Sequence, residues 1–251
     1  METTTAAPVI DVQNLHKRYH LGDETIHALA GVSLLAKSGE FVAIMGASGS
    51  GKTTLMHLIG GLDVPDEGTI QVDGLAVNKL SDTDRTLFRR RRLGVIFQAY
   101  NLMPTLTALE NVMLPLLVDG KSATIAEGRA REMLGQVHLS HRLKHRPALM
   151  SGGEQQRVAI ARALTFEPVL ILADEPTGNL DPTASLEIWR LLRALARERN
   201  TTVLMVTHES AAAAHADVVH FIRAGKFTGI AEPKGSGDAS LVAARYAELA
   251  D

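Results

Sequence analysis

Residues 40–62 read EFVAIMGASGSGKTTLMHLIGGL, and they decide the fold. An unbroken apolar run, FVAIM, marks a short strand buried on both faces. It leads straight into a glycine-rich loop and then into TTLMHLIGGL, which has the look of a helix. Gly46, Gly51, Lys52 and Thr53 fit the spacing G-x-x-x-x-G-K-[ST]. Strand, loop and helix in that order are the context this motif requires. The loop as a whole, Gly46, Ala47, Ser48, Gly49, Ser50 and Gly51 with Lys52, Thr53 and Thr54, is therefore expected to wrap the phosphates of a nucleotide. Lys52 is expected to reach the β- and γ-phosphates, and the Thr53 hydroxyl to ligate Mg²⁺.

Working outward, three more apolar runs have the same character: RLGVIFQ (92–98), PVLILADE (168–175) and TTVLMVTH (201–208). Helical stretches alternate with them. TASLEIWRLLRALARER (183–199) places Ile188, Leu192 and Leu195 on one face. This alternation predicts an α/β fold, a P-loop NTPase core with a mostly parallel sheet. The first 38 residues read instead as short antiparallel strands joined by a glycine-containing turn, an N-terminal antiparallel β subdomain. Residues 99–150 contain two helical segments with no strand between them, an inserted α-helical subdomain. The expected organisation is one domain over 1–230, then a linker rich in Pro, Gly and Ser and a short tail over 231–251.

Two adjacent acids close the run VLILADEP. Asp174 at a strand end suits Mg²⁺, held through water, and Glu175 points to where a water would attack the γ-phosphate. His208 closes another strand and Gln98 a third. Converging parallel strands would bring His208 to the γ-phosphate and the Gln98 amide oxygen to Mg²⁺ or water. A second anion-grade turn, SGGEQQR (151–157), opens a later helix, yet no lysine accompanies it.

In order, GASGSGKT, FQ, SGGEQQR, LADEPTGNLD and VTH resemble the ATP-binding subunit of an ABC transporter, over the stretch from Tyr19 to about Lys226. The resemblance accounts for the second turn. It implies two subunits packed head to tail, each ATP lying between the phosphate loop of one and the Ser-Gly-Gly turn of the other. Ser151, Gly152, Gly153, Glu154 and Asp181 would then serve the neighbour's nucleotide. The resemblance also implies Tyr19 stacking on adenine, Glu175 as catalytic base, and attachment to the cytoplasmic face of the cell membrane through an integral-membrane permease. The permease would dock near Leu102, Met103 and Leu106, apolar residues in the Pro-broken stretch after Gln98. Met150 stands where this family usually has Leu, a volume-conserving change. The hairpin and motif wording look most like the branch serving lipoprotein release, macrolide and peptide export and the cell-division complex.

Composition narrows the alternatives. There is no cysteine, so disulfides and thiolate metal sites are excluded. A net charge of −2 gives no global sign of nucleic acid. METTTAAPVIDV has neither a basic nor an apolar region of a signal peptide, and no window reaches about 18 apolar residues. A soluble ABC-type ATPase acting on nucleic acid would carry a long coiled coil or a zinc module between Gln98 and Ser151, and no heptads or cysteines occur there. A regulatory scaffold without turnover sits poorly with an intact Glu175 and His208. FRRRRLG (88–94) reads as a solvated helix end, Trp189 as packing, and His138, His141 and His145 as residues spaced along one helical face.

Overall fold

The structure is a computed structural model that describes residues 7–22 and 24–249. The beginning of the stretch read above for a leader, and the last two residues of the tail, lie outside the described residues.

Two sheets sandwich one helix. The first is antiparallel, with order β2-β1-β4-β5. It comprises β1 (Ile10–Leu21), β2 (Glu24–Ala36), β4 (Glu67–Val72) and β5 (Leu75–Ala76). The second contains β3 (Phe41–Met45), β6 (Leu93–Phe97), β7 (Leu170–Asp174), β8 (Thr202–Thr207), β9 (Val218–Arg223) and β10 (Lys226–Ala231). Its order is β10-β9-β3-β8-β7-β6, with every pair parallel except the edge pair β9–β10. All residues of β3 and β8 are buried, as their unbroken apolar runs require. Helix α1 (Lys52–Ile59) lies between the sheets, burying Leu55, Met56, Leu58 and Ile59 among residues of both.

The antiparallel sheet departs from expectation in two ways. Its first strands are long, 12 and 13 residues, with register shifts along β1. It also recruits β4 and β5 from beyond α1, so it is not confined to the first 38 residues.

Helix α2 (Asp82–Arg92) carries the arginine run, and the structure spends those charges internally. Arg90 and Arg91 both meet Asp119, Arg92 meets Asp73, and Arg89 donates to the Gly61 carbonyl. The insert holds α3 (Ala108–Val118) and α4 (Ala123–Gln136), which pack on α5 (Gly152–Ala163). His138, His141 and His145 do not share a helical face. Helix α4 ends at Gln136, and His138 adopts φ 60 in the turn that follows. No group of metal-capable His, Asp or Glu side chains gathers among the described residues.

Helix α6 (Pro182–Arg199) buries Ile188, Leu192 and Leu195 as predicted. Short α7 (Ser210–Ala213) precedes β9, and α8 (Ala239–Glu248) ends the described chain. The expected linker and tail are held onto the core. Lys234, Gly235 and Gly237 donate backbone N–H groups to Asp217, Ala216 and Ala214, and Val242 of α8 is fully buried. No helix of the described residues is long and apolar enough to cross a membrane.

On β9, His220 lies 4.9 Å from the Phe227 ring, and burial pushes its imidazole down from 6.5 to about 4. A depressed histidine costs the fold nothing while both states are neutral. As pH falls below 6.5 the unfolded chain binds a proton that the native state refuses until about 4. Across that window this group should remove about 3 kcal/mol of stability. Denaturant titrations of His220→Gln and the parent chain between pH 7 and 4 should differ in slope by up to one proton, the variant losing less.

Candidate functional site

The parallel strands all point the same way, so β3, β6, β7 and β8 deliver their C-terminal ends to one edge. The phosphate loop, Gln98, Asp174 with Glu175, and His208 all sit there. The loop is braced from behind. Gly225, in the β9–β10 turn, donates to the Ser50 carbonyl and accepts from the Ala30 amide. Gly51 adopts φ 109, and a Cβ there would meet the Ala28 carbonyl at 2.5 Å, so only glycine fits. Helix α1 starts at that residue with no side-chain cap and no acid in its first turn. Its first N–H groups and positive dipole end are therefore available to an anion.

Lys52 is buried, and its ammonium donates to the carbonyls of Gly46 and Ala47 at 2.9 Å each. Burial lowers its pKa, and the charges of Glu175 and Asp174 pull the other way. Asp174 is half-buried, and its carboxyl is raised by burial and then by Glu175. Such a carboxylate gains from a cation. With the Thr53 hydroxyl and the Gln98 amide it makes an all-oxygen donor set of the kind Mg²⁺ takes. Gln98 turns its Nε2 to Asn179 Oδ1 at 3.4 Å, which leaves the amide oxygen as the end to coordinate or accept.

Glu175 sits at φ 43, a left-handed conformation that is unfavourable for a side chain with Cβ. Its N–H donates to the Val206 carbonyl and its own carbonyl accepts from Gly178. Its carboxylate Oε1 lies 2.9 Å from His208 Nδ1. The structure thus joins the acid and the histidine that the sequence placed on separate strands.

The Ser151 turn is closed on itself. Ser151 Oγ accepts from the Glu154 N–H, and Glu154 Oε2 accepts from the Ser151 N–H, a capping box on α5. Burial works to raise the Glu154 carboxyl, but the Ser151 amide and the Arg142 guanidinium, 2.7 Å away, outweigh it and hold it low. Gly152 and Gly153 occupy the first two positions of the helix, where N–H groups have no intrahelical partner. Asp181 uses Oδ1 to cap α6, accepting from Thr183 and Ala184. Tyr19 is 39% exposed. Its hydroxyl donates to Asp63, and the Lys17 ammonium lies 5.1 Å from its ring centre. Leu102 and Leu106 are half-buried, Leu102 against the core, whereas Met103 is exposed.

Sequence reasoning passed over several residues that support this edge. The Trp189 indole donates to Thr177, just beyond Glu175, and so does more than pack. Arg162 donates to the carbonyls of Tyr100 and Asn101 after Gln98. Gln156 bonds both neighbouring segments. Its signal was available, as a polar residue on the buried stripe Gly153–Gln156–Ile160 of a helix.

A phosphate loop, strand-end acids and a separate Ser-Gly-Gly helix start in this topology define a P-loop ATPase of the cassette type. The family model described as ABC transporter matches residues 29–178, and the chain belongs to that family. Among curated relatives, the lipoprotein-releasing system ATP-binding protein LolD of Geobacter metallireducens is 46% identical over 207 residues, 82% of this chain and 92% of that protein. LolD of Saccharophagus degradans is 45% identical over 220 residues, 88% and 96% of the two chains. A solved dimeric post-hydrolysis state of an ATP-binding cassette with ADP and Pi is 42% identical, with TM-score 0.81, covering 90% of this chain and 99% of that one. The protein is an ABC-type ATPase subunit, which binds ATP and hydrolyses it to ADP and phosphate.

Lys52→Ala removes the only ammonium in the loop. ATP affinity, measured by equilibrium titration, should fall about 10- to 100-fold, the range for losing a charged hydrogen-bond partner. The melting temperature should fall as well, because the carbonyls of Gly46 and Ala47 lose their donor.

Proposed function

We propose that this chain powers a LolD-like lipoprotein-release permease from the cytoplasmic face of the membrane, as a head-to-tail dimer that closes on two ATP. The observation that carries this reading is the pairing of one open helix start, at Gly51, with one self-capped start, at Ser151, in a chain similar to LolD along most of its length. The first receives the chain's own nucleotide. The second, through Ser151, Gly152, Gly153 and Glu154, meets the partner's γ-phosphate, and Asp181 crosses the interface near the attacking water. The positive end of α5 then reaches the nucleotide only in the closed dimer, which makes closure depend on ATP.

In hydrolysis, Glu175 accepts the proton of the attacking water. His208 meets that carboxylate through Nδ1, and its Nε2 is left to face a γ-phosphate oxygen. Lys52 exchanges the carbonyls of Gly46 and Ala47 for phosphate oxygens. Ala47, Ser48, Gly49, Ser50 and Thr54 wrap the phosphates, and the exposed face of Tyr19 stacks on adenine. Thr53, Gln98 and Asp174 would hold Mg²⁺, which when bound would neutralise charge developing on the phosphates.

Permease docking is assigned to the loop containing Met103. Buried Asn111 fixes this loop, accepting from the Met103 N–H and donating to the carbonyls of Met103, Leu106 and Thr107. The loop therefore presents Met103 on a rigid frame, and methionine suits an adaptable apolar contact. Leu102 and Leu106 support it from below.

Two experiments test the reading. Glu175→Gln should bind ATP with parental affinity, lose at least about 100-fold in turnover, and accumulate as a nucleotide-bound dimer in gel filtration. Parental turnover in that variant would assign the base elsewhere. Met103→Glu should leave ATP binding and melting temperature unchanged while association with the co-expressed permease is lost. Retained association would move the docking site.

A further inference from the structure

Gln156 is fully buried on α5. Its Nε2 donates to the Pro176 carbonyl at 2.6 Å and to the Phe97 carbonyl at 3.3 Å. Pro176 follows Glu175 directly, and Phe97 directly precedes Gln98. One amide therefore grips the backbone beside both residues at the reacting end of the site. Glu175 needs such a grip, because its left-handed backbone persists only where the surroundings over-determine it. The Val206 carbonyl and the Gly178 amide fix the Glu175 peptide groups, and Gln156 fixes the next one.

Stability alone does not explain an amide here. Gln156 Oε1 is buried with no hydrogen-bond partner among the described residues. A lone acceptor of this kind is destabilising, and an apolar side chain of similar volume would avoid it while leaving the Pro176 carbonyl without its donor. The same helix also clamps the backbone after Gln98. Arg162 donates to the carbonyls of Tyr100 and Asn101, both left-handed at φ 59 and 50. The Tyr100 hydroxyl in turn lies against Gly152 at the start of α5.

We propose that Gln156 is a positioning residue for hydrolysis, coupling the setting of α5 to Glu175 and Gln98 through the carbonyls of Pro176 and Phe97. On the head-to-tail reading above, on which this part rests, the N-terminus of α5 touches the partner's ATP while its flank sets this chain's own base. A shift of α5 on closure at one nucleotide is thereby carried to the water-activating edge of the other.

The test is Gln156→Met, which keeps the volume and removes the donor, and Gln156→Asn, which keeps the amide but falls short of both carbonyls. In both, ATP affinity should stay within about two-fold of the parent while kcat falls by up to about 100-fold, the size of effect for an approximately 1 Å misplacement. The melting temperature of Gln156→Met should stay near that of the parent, since the unpartnered Oε1 is removed while the Pro176 carbonyl loses its donor. On a Glu175→Gln background, single-turnover rates should show no further loss from Gln156→Met. Parental kcat in a folded Gln156→Met or Gln156→Asn protein overturns the proposal. So does a loss of kcat matched by an equal loss of folded protein, or a full multiplicative loss on the Glu175→Gln background. Turnover surviving in Glu175→Gln alone would sink the base assignment instead, and a kcat loss in the Gln156 variants would then place the positioning at Gln98.

Discussion

The Lys52 ammonium, buried and bonded to two carbonyls of its own loop, is the interaction on which the rest of this structure depends. A cation in a core is tolerable only where oxygen atoms surround it. The loop supplies them by winding around the lysine, and it can wind that way because Gly51 takes a backbone conformation no other residue could hold beside the Ala28 carbonyl. The winding also aims the N-terminus of α1 at the nucleotide edge. The remaining strands of the parallel sheet then bring acids, an amide and a histidine to the same place. Remove the lysine's setting and these groups would face a helix start with nothing charged between them.

Most of this was legible in the sequence because it is local. Buried parallel strands announce themselves as short apolar runs, and the residue after each run must lie at the shared edge. Gln98, Asp174, Glu175 and His208 could therefore be placed together with no knowledge of strand order. Helix α6 was legible for a similar reason, since Ile188, Leu192 and Leu195 fix its buried face by spacing alone.

What was not legible depends on partners far away in the chain. Strands β4 and β5 join a sheet begun by the first hairpin, and nothing in EGTIQV names β1 as its neighbour. The arginine run of α2 looks solvated until Asp119, from the end of α3, closes on two of its guanidinium groups. The three histidines lost their common face because α4 stops at Gln136, and His138 takes a positive φ in the turn that follows. Within the site, the Glu175–His208 contact and the two bonds of Gln156 cross between elements, so neither periodicity nor motif spacing encodes them.

The bracing of the phosphate loop has a consequence for biosynthesis. The loop is made early, but both strands flanking β3 arrive late, β8 at Thr202–Thr207 and β9 at Val218–Arg223. The Gly225 amide that bonds Ser50 comes later still. On the ribosome, therefore, the GKT segment emerges long before the strands beside β3 and the Gly225 amide can brace it, and such non-local pairing is slow to form. A nascent chain truncated before the β9–β10 turn carries the whole nucleotide motif without the Gly225 amide that holds Ser50, so the loop gains its full bracing only after that turn has been made.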